Sequence, residues 1–348
     1  MFSPLLTWYQ ENGRDLPWRA TKDPYKIWLS EIILQQTRVE QGLAYYLRFT
    51  EAFPSVDLLA SASEDEVLRL WQGLGYYSRA RNLHYAAQQI VSMGGFPATY
   101  SEIRSLKGIG DYTAAAIASF AYGLPHAVVD GNVYRVLSRF FAINTPIDST
   151  AGKRQFATLA QEILPPRHAA LHNQAMMDLG AMVCTPRAPQ CSVCPLVGAC
   201  LAHAEGRAEA FPVKEKRVQV RHRYFTYLIV TDGHSMLLRR RPKGDIWQGL
   251  YEPLLIETEA PLSEGELMAH AVVAPLLTSQ TMLSPIVSNL VHKLSHQHLH
   301  ASAYALRSEA PFSFPLPDAT IVVPLSALND YALPRLVTLI LERVGDKG

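Results

Sequence analysis

The sequence predicts a mainly α protein with two domains, a larger helical domain followed by a smaller α+β domain. The length of 348 residues suits two domains better than one. Up to about residue 205, apolar side chains recur at helical spacing, whereas the later part holds short alternating runs typical of strands. A basic, proline-containing stretch at 211–223 marks the change. We therefore expect a helical domain over 1–205, a linker over 206–222 and an α+β domain over 223–348.

Caps and apolar spacing predict the helices in chain order. Ser3 can cap a first helix, with Pro4 at its first helical position. A later segment, 114–121, is an apolar run of helical length. Two further stretches repeat apolar side chains on one helical face: Trp28, Leu29, Ile32 and Ile33 in the first, and Val133, Val136, Leu137, Phe140 and Phe141 in the second.

Alternating side chains predict the strands of the second domain. Segments 224–231 and 235–241 are expected to pair as a hairpin through the turn Asp232-Gly233. Segment 298–306 alternates like another strand, and 333–344 has the pattern of a final helix.

Composition and charge limit the class of protein. The hydrophobic fraction of 48% can fill ordinary cores, and no run of about twenty apolar residues is present that could span a membrane. The first residues lack a basic region followed by an apolar stretch, so no secretory signal is expected. The formal net charge of +1 is weak support for a nucleic-acid partner, although it can hide a basic face. We expect a cytoplasmic protein, associated with the nucleoid if it is bacterial.

The four cysteines fall within one window of 17 residues: Cys184, Cys191, Cys194 and Cys200. A disulfide framework is usually spread over a small secreted chain, so metal ligation is the better interpretation. Thiolates suit an iron–sulfur cluster or zinc. Zinc sites usually pair two C-x2-C knuckles and this chain has one, so the spacing C-x6-C-x2-C-x5-C favours one 4Fe-4S cluster. Arg187, Lys214 and Lys216 can make this loop a phosphate-contacting surface.

Gly108 and Gly110 stand two residues apart just before the apolar helix at 114–121. Such a turn can expose backbone N–H groups beside a helix start, which binds a phosphate without recognising a base. A single G-x-G pair is weak evidence, since most such pairs are merely turns. Asp130 follows at the start of the next amphipathic helix. It can serve as a helix cap, or as an acid that the helix N-terminus keeps ionised.

The glycine hairpin, the trailing aspartate and the cysteine spacing, in this order, resemble the helix-hairpin-helix DNA glycosylase superfamily with an iron–sulfur loop. The resemblance implies a two-lobed helical domain, with the hairpin motif at about 105–124 and the cluster loop at 184–200. One branch resembles endonuclease III, which has a lysine nucleophile in the hairpin, and the other resembles the adenine DNA glycosylases. The lysine position holds Tyr112, and Lys107 lies before the first glycine. Because tyrosine cannot form an imine, we favour the adenine branch, with weak or absent strand cleavage.

Residues 24–37 closely resemble the signature of the adenine glycosylases. Within them Glu31 stands among apolar residues, where its pKa would be raised so that it can donate a proton at neutral pH. An exposed helical glutamate is the alternative. Glycoside hydrolysis commonly divides its chemistry between two carboxylates. We assign Glu31 as the proton donor to adenine N7 and later activator of water, and Asp130 as the anion that stabilises the oxocarbenium-like sugar. The resemblance implies that Tyr112 and Asn132 orient this centre.

The same resemblance implies several DNA-contact residues. The adenine must leave the helix before an acid can reach it. Gln36 and Tyr76 match wedges that enter the base stack near the orphan base, although core packing is the alternative for Tyr76. Trp18 and Arg19 match the segment that lines the adenine pocket, and Gln174 matches a position expected to recognise adenine.

Residues 245–253 resemble the start of the Nudix-like domain attached to this family. A Nudix hydrolase needs a glutamate-rich helix to hold magnesium, and 262–273 offer only Glu264 and Glu266. We therefore expect a recognition module and not a pyrophosphatase. Leu294-Ser295-His296 matches the family loop Phe-Ser-His that recognises 8-oxoguanine, and Ser295 and His296 keep its hydrogen-bonding capacity.

Histidines near this loop offer a metal site as the alternative: His292, His296, His298 and His300. Alternating strand residues face opposite sides of a sheet, so only some of these side chains can converge.

These observations together predict a monofunctional, monomeric adenine DNA glycosylase that acts on 8-oxoguanine:adenine or guanine:adenine mispairs in duplex DNA. One alternative is a related thymine or oxidised-pyrimidine glycosylase. Another is a non-catalytic DNA-binding protein that uses the hairpin and cluster for damage recognition. The presence of both acids argues against the second.

Overall fold

A computed structural model describes residues 2–215, 219–308, 312 and 314–345. Lys216 and part of the predicted linker lie outside the described residues. The contacts divide the chain into two units, one made of Met1–Ser61 and Asn82–Arg217, the other of Ala62–Arg81 and Val218–Gly348. The continuous helical domain predicted over 1–205 is therefore interrupted. The segment Ala62–Arg81 belongs by its contacts to the second unit.

The described residues form twelve α-helices before the first strand. They are α1 (Ser3–Asn12), α2 (Pro24–Ile33), α3 (Val39–Ala52), α4 (Val56–Ser61), α5 (Glu64–Trp71), α6 (Ser78–Ser92), α7 (Tyr100–Ser105), α8 (Asp111–Tyr122), α9 (Gly131–Phe140), α10 (Thr150–Glu162), α11 (Ala169–Met182) and α12 (Leu201–Ala204). Helix α5 and the first residues of α6 fall in the second unit, and the other helices fall in the first.

Helices α2 and α8 pack against each other in the first unit. Asp23 caps α2 by accepting a hydrogen bond from the Tyr25 N–H at 2.9 Å, and Pro24 occupies the first helical position. Helix α8 ends at Gly123, whose φ of 67° is the left-handed conformation that suits a helix C-terminus. Most residues of both helices are buried. This packing places the C-terminal half of α2 beside the start of α8.

A second packing centre of the first unit joins α1, α9 and α11 with the cysteine loop. Helices α9 and α11 approach closely at Gly180 of α11. A Cβ atom on Gly180 would lie 2.6 Å from the Cβ of Asn132, so only glycine fits there without a shift. The start of α9, which carries Asp130 and Asn132, is therefore fixed against α11.

The second unit contains a seven-stranded sheet among the described residues. Its strands are β1 (Arg221–Thr231), β2 (Ser235–Arg240), β3 (Tyr251–Glu252), β4 (Leu254–Thr258), β5 (Met282–Lys293), β6 (Gln297–Arg307) and β7 (Thr320–Pro324). The order is β3-β2-β1-β6-β5, and β4 also pairs with β1 and β7 with β2. Strands β1 and β6 are parallel, and the other pairs are antiparallel. The predicted strands at 224–231, 235–241 and 298–306 are confirmed.

Two helices cover opposite faces of the sheet: α13 (Glu264–Ala269) and α14 (Arg335–Gly345). Phe225, Tyr227 and Ile229 of β1 pack with α14, while Leu228 and Val230 pack with α13. This alternation follows from the two-residue period of a strand. The helix predicted at 333–344 is confirmed as α14.

Among the described residues, no helix is both long and apolar enough to span a membrane.

Candidate active site and DNA-contact residues

A cavity of about 810 Å³ in the first unit contains all four residues predicted to be catalytic, Glu31, Tyr112, Asp130 and Asn132. Its lining includes eight of the predicted residues: Trp18, Arg19, Glu31, Gln36, Tyr112, Asp130, Asn132 and Gln174. They come from α2, α8, α9, α11 and the segments beside them. Residues far apart in the chain thus meet at one concave surface, as a candidate active site requires.

Glu31 lies on α2 and is only 6% exposed. The Tyr112 hydroxyl, at the start of α8, donates a 2.7 Å hydrogen bond to Glu31 Oε2. Burial raises the pKa of Glu31 to about 7. The hydrogen bond from Tyr112 opposes this shift, while the charge of Asp130 adds to it. A carboxyl in this state is partly protonated at neutral pH and can donate a proton.

Asp130 performs two functions, because it caps α9 and also lines the cavity. The Val133 N–H donates to its Oδ1 at 2.7 Å, and the Asn132 side-chain amide donates to its Oδ2 at 2.7 Å. Burial raises the pKa of Asp130, and these hydrogen bonds and the charge of Arg135 oppose that rise. The sequence left two interpretations of Asp130 open, a helix cap or a functional acid. The geometry allows both, because the capping carboxylate also faces the cavity.

Arg135, which the sequence reasoning missed, holds Asn132 in place. Its Nη2 donates to Asn132 Oδ1 at 2.8 Å and to the Gly180 carbonyl at 2.6 Å. Its Nε donates to the Cys184 carbonyl at 2.7 Å. A single buried guanidinium therefore connects the acid-bearing end of α9 to the first residue of the cysteine loop.

Arg19 lines the cavity, but its guanidinium binds a residue that the sequence reasoning did not assign. Its Nη1 and Nη2 both reach the Asp178 carboxylate at 2.7 Å, and Arg14 binds the same carboxylate. Burial acts to raise the pKa of Asp178, but the hydrogen bonds from Arg19 and Arg14 outweigh it and lower the pKa. The segment at 16–19 is thereby anchored to α11, and Trp18 is held buried in the wall.

Gln174 and Met177 also belong to the wall supplied by α11. The Tyr9 hydroxyl donates to Gln174 Oε1 at 2.9 Å. This bond fixes which way the side-chain amide of Gln174 is oriented. Met177 packs partly in the core and also lines the cavity.

The two hairpin glycines lie outside this cavity and differ in what they do. Gly108 has a φ of 77°, and a Cβ there would lie 2.7 Å from the Asn82 Cβ. Gly110 caps α8 in an extended conformation, and a Cβ there would have nothing within 4 Å. The first glycine therefore shapes the turn, while the second leaves open space beside the helix N-terminus. A phosphate can approach backbone N–H groups in such a place.

The four cysteines are free thiols and line one small cavity together with Arg139. The Arg139 Nη1 donates to the Cys184 Sγ at 3.3 Å and to the Thr185 carbonyl at 2.7 Å. Among the described residues, no group of three or more His, Cys, Asp or Glu side chains has the geometry of a site for a metal ion. The four cysteine sulfurs that share this cavity are the type of ligand that holds an iron–sulfur cluster.

Tyr76, Ser295 and His296 lie in the second unit, around a separate cavity of about 520 Å³. The alternative that Tyr76 packs in the core is wrong, because its side chain is 41% exposed. Its backbone has a φ of 48°. Its hydroxyl is hydrogen-bonded to the Ser295 hydroxyl. Ser295 and His296 are exposed in the turn between β5 and β6. Trp247 and His292 line the same cavity, which sequence reasoning did not anticipate.

Fold and site together define a base-excision DNA repair protein. The family model described as "HhH-GPD superfamily base excision DNA repair protein" matches residues 29–166, and a NUDIX domain model matches 226–343. The chain is similar to the thermostable thymine-DNA glycosylase structure at 29% identity and a TM-score of 0.55, over 58% of this chain and 94% of that one.

Curated relatives identify the particular family. The chain is 34% identical to the adenine DNA glycosylase of Buchnera aphidicola subsp. Acyrthosiphon pisum (strain APS), over 88% of this chain and 87% of that protein. It is 33% identical to the adenine DNA glycosylase of Buchnera aphidicola subsp. Baizongia pistaciae (strain Bp), over 99% of this chain and 96% of that protein. The chain belongs to the adenine DNA glycosylase family, also called the MutY family, and is a DNA N-glycosylase that excises adenine in DNA repair.

Proposed function

We propose that the chain hydrolyses the N-glycosidic bond of adenine paired with 8-oxoguanine or guanine in duplex DNA, leaving an apurinic site. The observation that carries this proposal is the buried Glu31, hydrogen-bonded to Tyr112 in a cavity that also contains Asp130. Two carboxylates in different environments are the arrangement expected for cleavage with an oxocarbenium-like transition state.

Glu31 donates its proton to N7 of the departing adenine. Its pKa of about 7 leaves a useful fraction protonated at neutral pH. After the transfer, Tyr112 remains hydrogen-bonded to the carboxylate, which can then activate water. Tyr112 thus acts as a positioning residue for both protonation states of Glu31.

Asp130 stabilises the positive charge that develops on the sugar as the bond breaks. Its two oxygens accept hydrogen bonds from Val133 and Asn132, and Arg135 fixes Asn132 in turn. A carboxylate held in this way does not have to reorient during the reaction, which lowers the cost of reaching the transition state.

The adenine reaches these acids after it flips out of the duplex. Trp18 and Gln174 then supply an apolar wall and an oriented amide for recognition of the base. Gln36 and Tyr76 serve as wedges. Both are exposed, and both have positive φ values, 55° and 48°, a strained backbone conformation of the kind that functional sites often contain. Arg19 contributes by anchoring the pocket wall through Asp178.

The activity is monofunctional, because the residue that touches the catalytic acid is Tyr112 and not a lysine. Strand cleavage by an imine requires a neutral amine, which a phenol does not supply. Borohydride treatment of the protein with its product DNA should therefore trap no covalent complex.

One 4Fe-4S cluster is assigned to Cys184, Cys191, Cys194 and Cys200, which share a cavity as free thiols. When bound, the cluster would cross-link the loop at 184–200. The chain's own contribution is Arg139, which places a positive charge beside the Cys184 sulfur, and Arg135, which connects the loop to α9. Iron and sulfide analysis of the purified protein tests this assignment against zinc.

The second unit recognises the base opposite the adenine through Ser295 and His296, and it does not act as a pyrophosphatase. Ser295 is oriented by its hydrogen bond to Tyr76. We further propose that the protein acts as a monomer in the cytoplasm.

The test is a single-turnover assay of adenine release from 8-oxoguanine:adenine duplex with Glu31→Gln. The variant keeps the shape of the side chain and should bind DNA normally while excision is lost by several orders of magnitude. Near-normal excision by Glu31→Gln would show that another group is the acid. The similarity to a thymine-DNA glycosylase structure favours one second candidate, so guanine:thymine duplex belongs in the same assay.

A further inference from the structure

Three histidines on the sheet of the second unit have no role in the proposed catalysis: His222, His298 and His300, here called the imidazole cluster. Strands β1 and β6 run in parallel and pair His222 with His298 and Tyr224 with His300. His222 Nδ1 and His300 Nε2 lie 2.8 Å apart. The His222 ring meets His298 edge-on at 5.3 Å, and Tyr224 stacks on His300 at 4.9 Å. His222 was not among the histidines predicted from the sequence as a possible metal site.

A cationic side chain lies beside the imidazole cluster. Lys293 of β5 is exposed and is the cross-strand partner of His298. Burial and the charges of His222, Lys293 and His300 lower the pKa of His298. The other strand partners on this face are uncharged, namely Val291 beside His300 and Thr258 beside Tyr224.

Three acidic residues of the second unit are bound elsewhere. Asp245 and Glu257 both bind Arg223, which lies between His222 and Tyr224 and so faces the opposite side of the sheet. On α13, which packs farther along the same face, Glu266 binds its own cap residue Ser263. The imidazole cluster therefore has a cationic neighbour, Lys293, and no acid among the strand partners that the structure describes.

The imidazole cluster lies directly beside the turn that carries Ser295 and His296. The Leu294 N–H donates to the Gln297 carbonyl at 2.8 Å, which closes the turn directly before His298. The Arg221 N–H donates to the His296 carbonyl at 3.0 Å, which connects the start of β1 to the same turn. His222 is exposed, and His298 and His300 are half-buried, so a ligand can reach their rings.

We propose that the imidazole cluster, together with Lys293, binds a backbone phosphate of the DNA next to the mispair. This inference rests on the proposed role of Ser295 and His296 in contacting the opposite base. Imidazole and ammonium N–H groups donate to phosphate oxygens, and the donation is stronger when the imidazole is charged. A phosphate contact fixes the position of the duplex but carries no sequence information.

The test measures the Kd of the full chain for duplex DNA that carries hydrolysis-resistant 2′-fluoroadenosine opposite 8-oxoguanine or guanine. The triple variant H222Q/H298Q/H300Q and the single variant H298Q are compared with the native protein and with H234Q. His234 is an exposed histidine at the other end of β1, in the β1–β2 turn, and is the matched control. Thermal unfolding of each variant checks that the fold is retained.

We expect the triple variant to bind both duplexes several-fold more weakly near pH 6 and to lose most of this difference near pH 8, where imidazoles are neutral. The slope of log Kd against log salt, measured between roughly 50 and 200 mM, should fall by about 1 for each lost phosphate contact. H298Q should show a smaller loss of the same kind, and H234Q none.

Three results would overturn the inference. The first is an unchanged Kd and salt slope in the folded triple variant. The second is a loss of affinity for the 8-oxoguanine duplex alone, which would make the cluster part of base recognition. The third is a loss of native binding with EDTA that Zn²⁺ restores, which would make it a metal site. The double variant S295A/H296A separates the two proposals, because it should change the preference between the duplexes and leave the salt slope unchanged.

Discussion

Glu31 and Tyr112 are 81 positions apart in the chain, yet a 2.7 Å hydrogen bond joins their side chains. Each residue was predicted as part of the site from its local motif. The contact between them was not, because it depends on the packing of α2 against α8. Asp178 was missed for a similar reason: nothing in its local sequence indicates that two arginines from 14–19 converge on it.

At the scale of single residues, Glu31→Gln should increase stability near pH 8 while it abolishes excision. The folded pKa of about 7 lies above the ordinary value of 4.5, so the unfolded chain loses this proton first as pH rises. Ionisation of the buried Glu31 therefore lowers the free energy of unfolding. This destabilisation is absent below about pH 4, grows between the two pKa values and is complete above about pH 7. We expect a gain of about 1–3 kcal/mol in the free energy of unfolding near pH 8.

Chemical denaturation of both proteins near pH 8 and near pH 4 measures this gain. The difference should disappear at the lower pH, where both forms are uncharged. A gain of equal size at both pH values would mean that it does not arise from the titration of Glu31.

Tyr112→Phe should move the pH dependence of excision to higher pH. The Tyr112 hydrogen bond lowers the pKa of Glu31, so its removal raises that pKa and extends the range in which the acid is protonated. We expect the falling limb of the single-turnover pH profile to shift upward by roughly one unit. Tyr85→Phe is the matched control, since Tyr85 is 54% exposed. A shift to lower pH would contradict the assigned hydrogen bond.

At the scale of elements, the hairpin before α8 was predicted as a turn, and the structure assigns different tasks to its glycines. Strands β1, β2 and β6 were predicted because their side chains alternate. Strands β3, β4, β5 and β7 were not, since they are short, edge or irregular segments. Strand β5, for instance, contains Pro285 and register shifts against β6. The parallel pairing of β1 with β6 joins segments separated by more than sixty residues and has no local signal.

Gly108→Ala and Gly110→Ala should separate folding from DNA binding in this hairpin. Alanine at 108 meets a φ of 77° and the Asn82 side chain, so we expect a loss of about 1–3 kcal/mol in stability. Alanine at 110 fits without a clash, so stability should stay within about 0.5 kcal/mol. Its methyl group would occupy the open space beside the helix N-terminus and should weaken binding to all duplexes alike.

Thermal unfolding and binding to a non-cleavable duplex, measured on both variants, check this pair. If Gly110→Ala binds DNA with unchanged affinity, the hairpin does not contact the DNA.

At the scale of the whole molecule, the division into two units cannot be predicted from the order of elements along the chain. Helix α5 has an ordinary amphipathic pattern that does not identify its partner. In the structure its Asp65 accepts hydrogen bonds from Arg240 at 2.9 Å and from the Tyr251 hydroxyl at 3.1 Å. Arg81 donates to the Gln248 carbonyl at 2.7 Å. The second unit is therefore discontinuous in sequence.

Deletion of 224–348 should preserve some adenine removal, reduce the preference for 8-oxoguanine:adenine over guanine:adenine, and lower the melting temperature. The preference falls because Ser295 and His296 are lost. The stability falls because Ala62–Arg81 loses the partners just described. Excision rates on both duplexes and a thermal melt measure the two effects. If the truncated protein prefers 8-oxoguanine:adenine as strongly as the full chain does, the first expectation is wrong. If its melting temperature is unchanged, the second is wrong.

The discontinuity of the second unit also bears on how the protein is made. On a ribosome, Arg81 emerges 140 residues before Arg221, where β1 begins. At synthesis rates of about 5–20 residues per second, the early segment waits on the order of ten seconds for its sheet. During that interval the segment Ala62–Arg81 lacks the later residues that bind it in the structure, namely Arg240, Gln248 and Tyr251. Completion of the second unit is therefore a late event that closes a long loop, and a nascent chain stalled before β1 would be a target for chaperones.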